Sequence, residues 1–369
     1  MLLERHHQLH AGDYLGLRYY HKAGLRYDPA SHPGMGLFFS HADLQAAHLI
    51  DASDSLGLLS LYAAAQRVTL LASSSAVLRC AQQSLAEQNK AVDLCAGAWW
   101  DVPAESADCL CALPSSDKGH TRVVAELQAA QRALQAEGRA YLLMHKDQGA
   151  KRYEKLARGL FGSLEVVAKR GGWRLSCARK LEPSLQNLTN SLHFQAAGLQ
   201  LYAEAGVFAA GKLDPGTALL LEHFPQDTLL GKRVLDMGCG YGLLALKASL
   251  AAAEVTALDD DLLAVRSSYH NARHYGLDVR CLHSDINAAL AADERFDVVL
   301  MNPPFHLAKQ VDLALPRAFI AAAHNHLVPG GKLVLVANQA LPYERDLASW
   351  QQQGELGRNA QFKVLWAQT

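Results

Sequence analysis

The chain has 369 residues, half of them hydrophobic and 19% charged, with a formal net charge of −1. This composition specifies a globular protein with a real core, and the length suits two domains of ordinary size. No apolar run is long enough to span a membrane, and the start Met1-Leu2-Leu3-Glu4-Arg5-His6-His7 lacks a signal-peptide pattern, so a cytoplasmic protein is expected.

The seven cysteines (80, 95, 109, 111, 177, 239 and 281) form no C-x-x-C pair and lie mostly in apolar, strand-like runs. Reduced thiols are expected, without disulfides or zinc. The densest histidine group, His6, His7 and His10, has no acidic or cysteine partner beside it in the sequence, so surface histidines and no metal site are expected. The near-zero net charge hides an asymmetry. Residues 1–185 carry a balance of +3 and residues 186–369 a balance of −4. Neither half is a polybasic clamp, so any contact with nucleic acid must come from local patches.

Residues 1–46 hold short aromatic runs broken by Gly and Pro, which predict short strands and loops. Strand–helix alternation then begins: strand 47–51, helix 56–65, strand 67–72, helix 75–88, strand 108–113, helix 120–135 and strand 139–145. Such alternation predicts a parallel sheet flanked by helices. The second half repeats the order: a helix opening at Asp214-Pro215, strand 233–237, helix 242–252, strand 254–258, helix 261–275, strands 278–282 and 296–301, helix 312–326, strand 332–337 and a terminal strand 362–367. Asp214 before Pro215 is a helix-start signal.

The two halves align. Leu235-Asp236-Met237-Gly238-Cys239-Gly240-Tyr241-Gly242 matches Ile50-Asp51-Ala52-Ser53-Asp54-Ser55-Leu56-Gly57, and Phe296-Asp297-Val298-Val299 matches Ala107-Asp108-Cys109-Leu110. The expected fold is therefore α/β, two tandem Rossmann-like domains from a duplication, divided as 1–185 and 186–369. The copies differ where a ligand would sit. In the first, the loop glycines become Ser53 and Ser55, the acid after the second strand becomes Ala72, and Leu113 stands where the second copy has Asn302. A side chain at a lost glycine crowds a ligand's approach to the backbone. The N-terminal copy is expected to keep the fold without the chemistry.

Asp236-x-Gly238-x-Gly240-x-Gly242 follows a strand and opens a helix, the place where backbone approaches a ligand. Its G-x-G-x-G spacing differs from that of a dinucleotide loop, and the leading acid suits a cofactor bearing an ammonium group. Asp259, at the end of the next strand, can accept ribose hydroxyls. Of Asp260 and Asp261, at least one is expected to cap a helix. Asp285 either caps or accepts from an adenine amine, with Ile286 against the ring. The run Val298–Met301 reads as a buried strand that delivers Asn302-Pro303-Pro304-Phe305-His306 at its carboxyl end. The prolines stiffen that loop. Asn302 and Pro303 supply oxygen acceptors and Phe305 a stacking surface, an arrangement suited to a planar substrate with an exocyclic amine.

The N-P-P-F tetrad resembles that of S-adenosyl-L-methionine-dependent amino-methyltransferases. Together with Gly206-Val207-Phe208, Gly211-Lys212-Leu213-Asp214, Val336-Ala337-Asn338 and Leu341-Pro342-Tyr343, it resembles the bacterial ribosomal small-subunit guanine-N2 methyltransferases of RsmC type. The resemblance is strong over 190–369 and weaker over the degenerate first copy. It implies S-adenosyl-L-methionine as cofactor, ribosomal RNA as partner and N2 of guanine 1207 in 16S rRNA as acceptor. Asp236, Gly238, Gly240, Gly242, Asp259, Asp260, Asp285, Ile286 and Asn302 would then bind the cofactor. Asn302, Pro303 and Phe305 would act on a flipped or unstacked base, with Phe208, Lys212, Asp214 and His306 near it. Phe208 reads equally as a core residue, and His306 equally as a loop brace. A 23S rRNA target, a protein glutamine, or a non-enzymatic RNA-binding role remain as alternatives. No oligomer is indicated. Lys169, Arg170, Arg174, Arg179 and Lys180 are the cations through which the N-terminal half is expected to meet RNA.

Overall fold

The three-dimensional structure is a computed structural model. It describes every residue except 1, 26, 27, 224–227, 305, 308, 309, 312 and 313, and the backbone alone at 2, 306, 307, 310 and 311. The chain forms two compact units, Leu9–Asn190 and Ser191–Thr369, the latter joined by the short N-terminal segment that ends at Gln8.

Each unit is built on a seven-stranded sheet. In the N-terminal unit the strands are β1 (His48–Ala52), β2 (Arg67–Ala72), β3 (Asp93–Ala96), β4 (Ala107–Ala112), β5 (Leu134–His145), β6 (Gly162–Arg170) and β7 (Trp173–Lys180). In the C-terminal unit they are β8 (Arg233–Met237), β9 (Glu254–Asp259), β10 (Val279–His283), β11 (Phe296–Met301), β12 (Leu327–Asn338), β13 (Gln352–Arg358) and β14 (Phe362–Gln368). The spatial orders, β3-β2-β1-β4-β5-β7-β6 and β10-β9-β8-β11-β12-β14-β13, are the same. The first five strands of each sheet run parallel, and its last strand in the chain pairs antiparallel with both neighbours. Even the irregularities repeat. The register shifts between Ala107 and Cys109 in one copy and between Phe296 and Val298 in the other.

The chemistry of the strands explains the layers. Leu235, Val299, Leu300 and Met301 are fully buried, as expected for central parallel strands covered on both faces. Around them pack Met237, Leu258, Phe296, Phe319, Ile320, Leu333 and Leu335. The corresponding core of the other unit gathers Leu49, Leu58, Leu59, Val68, Cys109, Cys111, Leu143 and Leu175.

Three expectations need correction. The division falls after Asn190 instead of 185, and the first residues belong with the C-terminal unit. They do so because helix Leu2–His7 packs on helix Ala314–His326 and places Leu3 against the C-terminal core. Residues 1–46 contain helices, Leu2–His7 and Met35–His41, beside the ribbon His10–Tyr14/Leu17–His21. Finally, Arg174 is committed to Glu154 through two 2.7 Å hydrogen bonds, and Lys180 is 3% exposed, donating to the Leu134 carbonyl. Neither is available to RNA.

Candidate cofactor and substrate site

Asp236 is the penultimate residue of strand β8 and is 1% exposed. One of its carboxylate oxygens accepts the Ala245 amide at 3.0 Å, at the start of helix Leu243–Leu250. The other, Oδ1, is buried with no hydrogen-bond partner. Burial pushes this carboxyl up to about 7, the Ala245 amide pulls it back and the charge of Asp259 adds to the rise. An orphaned buried oxygen costs on the order of 1–3 kcal/mol or more unless something completes it. A cationic group reaching Oδ1 would do so.

The glycine loop shapes the approach. Gly238 and Cys239 donate their amides to the Leu258 carbonyl, which staples the loop to β9. Gly240 donates to Asp259 Oδ2 at 3.0 Å. All three glycines have positive φ, but their surroundings separate them. A Cβ at Gly240 would meet nothing within 4 Å, so the backbone is open to a ligand there. A Cβ at Gly242 would lie 2.4 Å from Ser268 Oγ and 2.9 Å from its Cα, so this glycine serves helix–helix packing.

Asp259 also accepts the Asp261 amide at 2.9 Å, and burial pushes its carboxyl up to about 7, with the Asp261 and Gly240 amides opposing. Each carboxylate oxygen retains a further acceptor position after one such bond. Asp261 is the helix cap, accepting from Leu263. Asp260 lends its carbonyl to His283 Nε2 at 2.8 Å. Asp285 is 4% exposed and lies 3.6 Å from both His6 Nε2 and His7 Nδ1. Its neighbour Ile286 sits in the apolar core, 2% exposed. The histidines that the sequence assigns to the surface therefore cover Asp285, and His6 itself is buried. Nothing near His6 in the sequence signals this, because the partner comes from the fold.

Strand β11 delivers Asn302. Its amide nitrogen donates to Asp214 Oδ2 at 3.0 Å and to Thr217 Oγ1 at 2.9 Å. Asp214 is the N-cap of helix Pro215–Glu222, accepting the Thr217 amide at 2.8 Å with the same oxygen. An ionised carboxylate only accepts, so this clamp sets which end of the amide is nitrogen. With both amide hydrogens committed, Asn302, which lines the adjoining cleft, keeps Oδ1 as its acceptor.

That cleft is lined by Phe208, Asp214, Asp236, Gly238, Gly240 and Asn302 from the expected set, and by Ala209, Thr217, Cys239, Tyr241, Leu243 and Leu244. Phe208 is 63% exposed and so no core residue. Lys212 is exposed and reaches the wall only through its carbonyl, which accepts from Tyr241 at 3.2 Å. Gly242, Asp259, Asp260, Asp285, Ile286 and the buried Pro303 do not line the cleft. Phe305 and the His306 side chain lie outside the described residues. Among the described residues no cluster of metal ligands occurs, and no helix is long and apolar enough to cross a membrane.

The equivalent acid of the other unit is in a different state. Asp51 accepts from Ser53 N and Oγ, Ser55 Oγ, and Ser60 N and Oγ, at 2.5–3.2 Å. The serines that replace the loop glycines fill the carboxylate which, at Asp236, keeps an unmatched oxygen.

Comparison with known proteins places this geometry. A solved structure described as the T. thermophilus 16S rRNA N2 G1207 methyltransferase (RsmC), in complex with AdoMet and guanosine, matches with a TM-score of 0.89 and 32% identity over 100% of both chains. The chain belongs to the RsmC family of methyltransferases. The family model for the methyltransferase small domain matches residues 198–366. Ribosomal RNA small subunit methyltransferase C of Chromohalobacter salexigens is 42% identical over 154 residues, 41% of this chain and 46% of that protein. Ribosomal RNA large subunit methyltransferase G of Alcanivorax borkumensis is 37% identical over 171 residues, 45% of this chain and 43% of that protein. The chain thus covers less than half the length of these curated relatives. The RsmC structural match extends over both units, and so over the duplication read from the sequence.

Proposed function

We propose that this protein transfers a methyl group from S-adenosyl-L-methionine to the N2 amine of a guanine in 16S ribosomal RNA, by analogy with the RsmC relative at G1207. The observation that carries the reading is the clamp on Asn302, which keeps Oδ1 as its acceptor on a residue that lines the same cleft as Asp236 with its unmatched oxygen. Asp236 fits the cationic ammonium of the cofactor, Gly240 leaves room for it, and Asp259, Asp260, Asp285 and Ile286 are the proposed ribose and adenine end. When bound, the cofactor supplies a methyl group already activated by its sulfonium charge.

The protein's own part is positioning. Asn302 Oδ1 and the Pro303 carbonyl accept hydrogen bonds from the two amine hydrogens, one of which leaves as a proton to solvent once the methyl group is in place. Held so, the nitrogen keeps its lone pair out of the guanine ring and free for transfer. Phe305 stacks the base, with Phe208 at the rim and Lys212, Asp214 and His306 around it. Here Asp214 acts through Asn302. No metal ion is needed, since the electrophile is activated beforehand. The cleft is lined from the C-terminal unit alone, which suits a monomer acting in the cytoplasm, where ribosomal subunits are found. The N-terminal unit, with Asp51 saturated, is proposed to bind no cofactor and to recognise RNA.

The large-subunit relative supports a second target, a guanine of 23S rRNA. One assay separates the two: labelled cofactor is supplied with isolated 30S subunits, 50S subunits or protein, and the modified nucleotide is located by mass spectrometry. Label at a guanine N2 of 16S rRNA is expected. Label confined to 50S subunits or to protein would overturn the reading.

A further inference from the structure

Parallel α/β sheets meet ligands outside the carboxyl ends of their strands, and in the N-terminal unit that edge is cationic. Lys146 follows β5 and is tied to the β6–β7 turn by its amide, which donates to the Gly172 carbonyl at 2.9 Å. Lys169 and Arg170 are the last residues of β6 at the same turn, both exposed. Helix Ala150–Phe161 starts beside them, burying Tyr153, Glu154, Ala157 and Phe161 and exposing Lys151, Arg152, Lys155 and Arg158. Its single acid, Glu154, is turned inward to Arg174 and Ser176, so the outward face carries no negative charge. Arg152 Nη2 meets His120 Nε2 at 3.0 Å, which brings the β4 loop with Lys118 to the same edge. The acids beside these cations are Asp147, 3.6 Å from His145 Nδ1, and Asp117, while Asp54 and Asp101 follow β1 and β3 farther along the edge.

The duplication supplies the control. The same β5-to-β6 connection in the catalytic copy, β12 to β13, is the five-residue helix Tyr343–Leu347, with Glu344, Arg345 and Asp346. Its hairpin turn is Asn359-Ala360-Gln361, beside an Arg358 paired with Glu355. One scaffold serves both copies, so the fold does not impose the basic edge. We propose that Lys146, Lys151, Arg152, Lys169 and Arg170 form a docking surface for the phosphate backbone of RNA, on the edge where the other copy would hold substrate. This rests on the rRNA reading above and moves the contact away from Arg174, Arg179 and Lys180.

The test uses the full chain. Lys151→Ala, Arg152→Ala, Lys169→Ala and Arg170→Ala are combined in one variant. In a control variant Arg67→Ala and Arg179→Ala remove exposed cations from the opposite, amino-terminal edge of the same sheet. Binding to isolated 30S subunits and to a 16S rRNA fragment holding the target guanine is measured against salt. The quadruple variant is expected to lose affinity, with a log–log salt slope shallower by about 0.7–0.9 for each phosphate contact removed, up to about 3.6 in all. Calorimetric cofactor binding and melting temperature should match the wild type. An unchanged slope, or an equal change in the control, would overturn the surface. Failure of the wild type to methylate rRNA would overturn the function on which it rests.

Discussion

The Asn302 amide would be free to rotate on an ordinary loop. Here Asp214 and Thr217 remove that freedom, and the loss should be visible in turnover. Asn302→Ala is expected to lower kcat by about 10²–10³, the scale for removing one oriented partner of a reacting centre, with cofactor affinity unchanged. Thr217→Val takes one acceptor from the clamp and should cost roughly 3–10-fold in kcat, while Thr217→Ser restores it. Equal effects of Val and Ser on kcat would mean that Thr217 acts through helix packing. The raised carboxyls give a second handle. Burial pushes Asp236 and Asp259 both up to about 7, and below that the folded chain holds protons that an unfolded chain releases above about pH 4. Stability therefore falls as pH rises through that window. Cofactor binding runs the other way, because an ammonium needs the ionised carboxylate. Affinity is expected to rise about tenfold per pH unit below 7 and to level off above it. Calorimetry between pH 5.5 and 8 showing constant affinity would remove Asp236 as the ammonium partner.

At the scale of elements, sequence legibility follows the range of the interactions. Strands β2 and β11 lie where their apolar runs place them, and helix Pro215–Glu222 starts where Asp214-Pro215 signals. The six-residue helix Leu2–His7 was not legible: so short a helix has no stability of its own and depends on packing against helix Ala314–His326. Helix Ala150–Phe161 left a trace in Tyr153, Ala157 and Phe161, buried at every fourth position, but its basic residues masked it. The role of Asp214 as a cap was readable, but its second role at Asn302, 88 residues away, exists only in the fold. The glycine loop divides in the same way, since the sequence groups glycines that the structure separates. Gly242→Ala should destabilise the protein by about 1–3 kcal/mol, because its Cβ collides with Ser268 beyond the cost of the positive φ. Gly240→Ala should cost less stability and more cofactor affinity. Melting curves beside titrations test this, and the reverse ranking in stability would refute the assignment.

For the whole molecule, the duplication raises the question of how many cofactors one chain binds. Both units present an acid at the end of the first strand of the sheet, followed by a turn into a helix, so topology alone allows two sites. The hydrogen bonds decide for one. Asp51 receives five donors from Ser53, Ser55 and Ser60, and an ammonium there would have to displace several of them from a residue only 1% exposed. Asp236 receives one donor and leaves Oδ1 unmatched beside an open Gly240. Leu113, at the position of Asn302, is 3% exposed and belongs to the core, so the N-terminal unit also lacks the polar acceptor on the opposite wall. Titration of the full chain with S-adenosyl-L-methionine is expected to give one site per chain. Gly240→Arg should abolish it entirely, and Ser53→Gly with Ser55→Gly should leave the stoichiometry at one, since Ser60 still holds Asp51. Two equal sites in the wild type, or binding that survives Gly240→Arg, would mean that the saturated carboxylate opens to ligand and that the N-terminal unit still has a cofactor site.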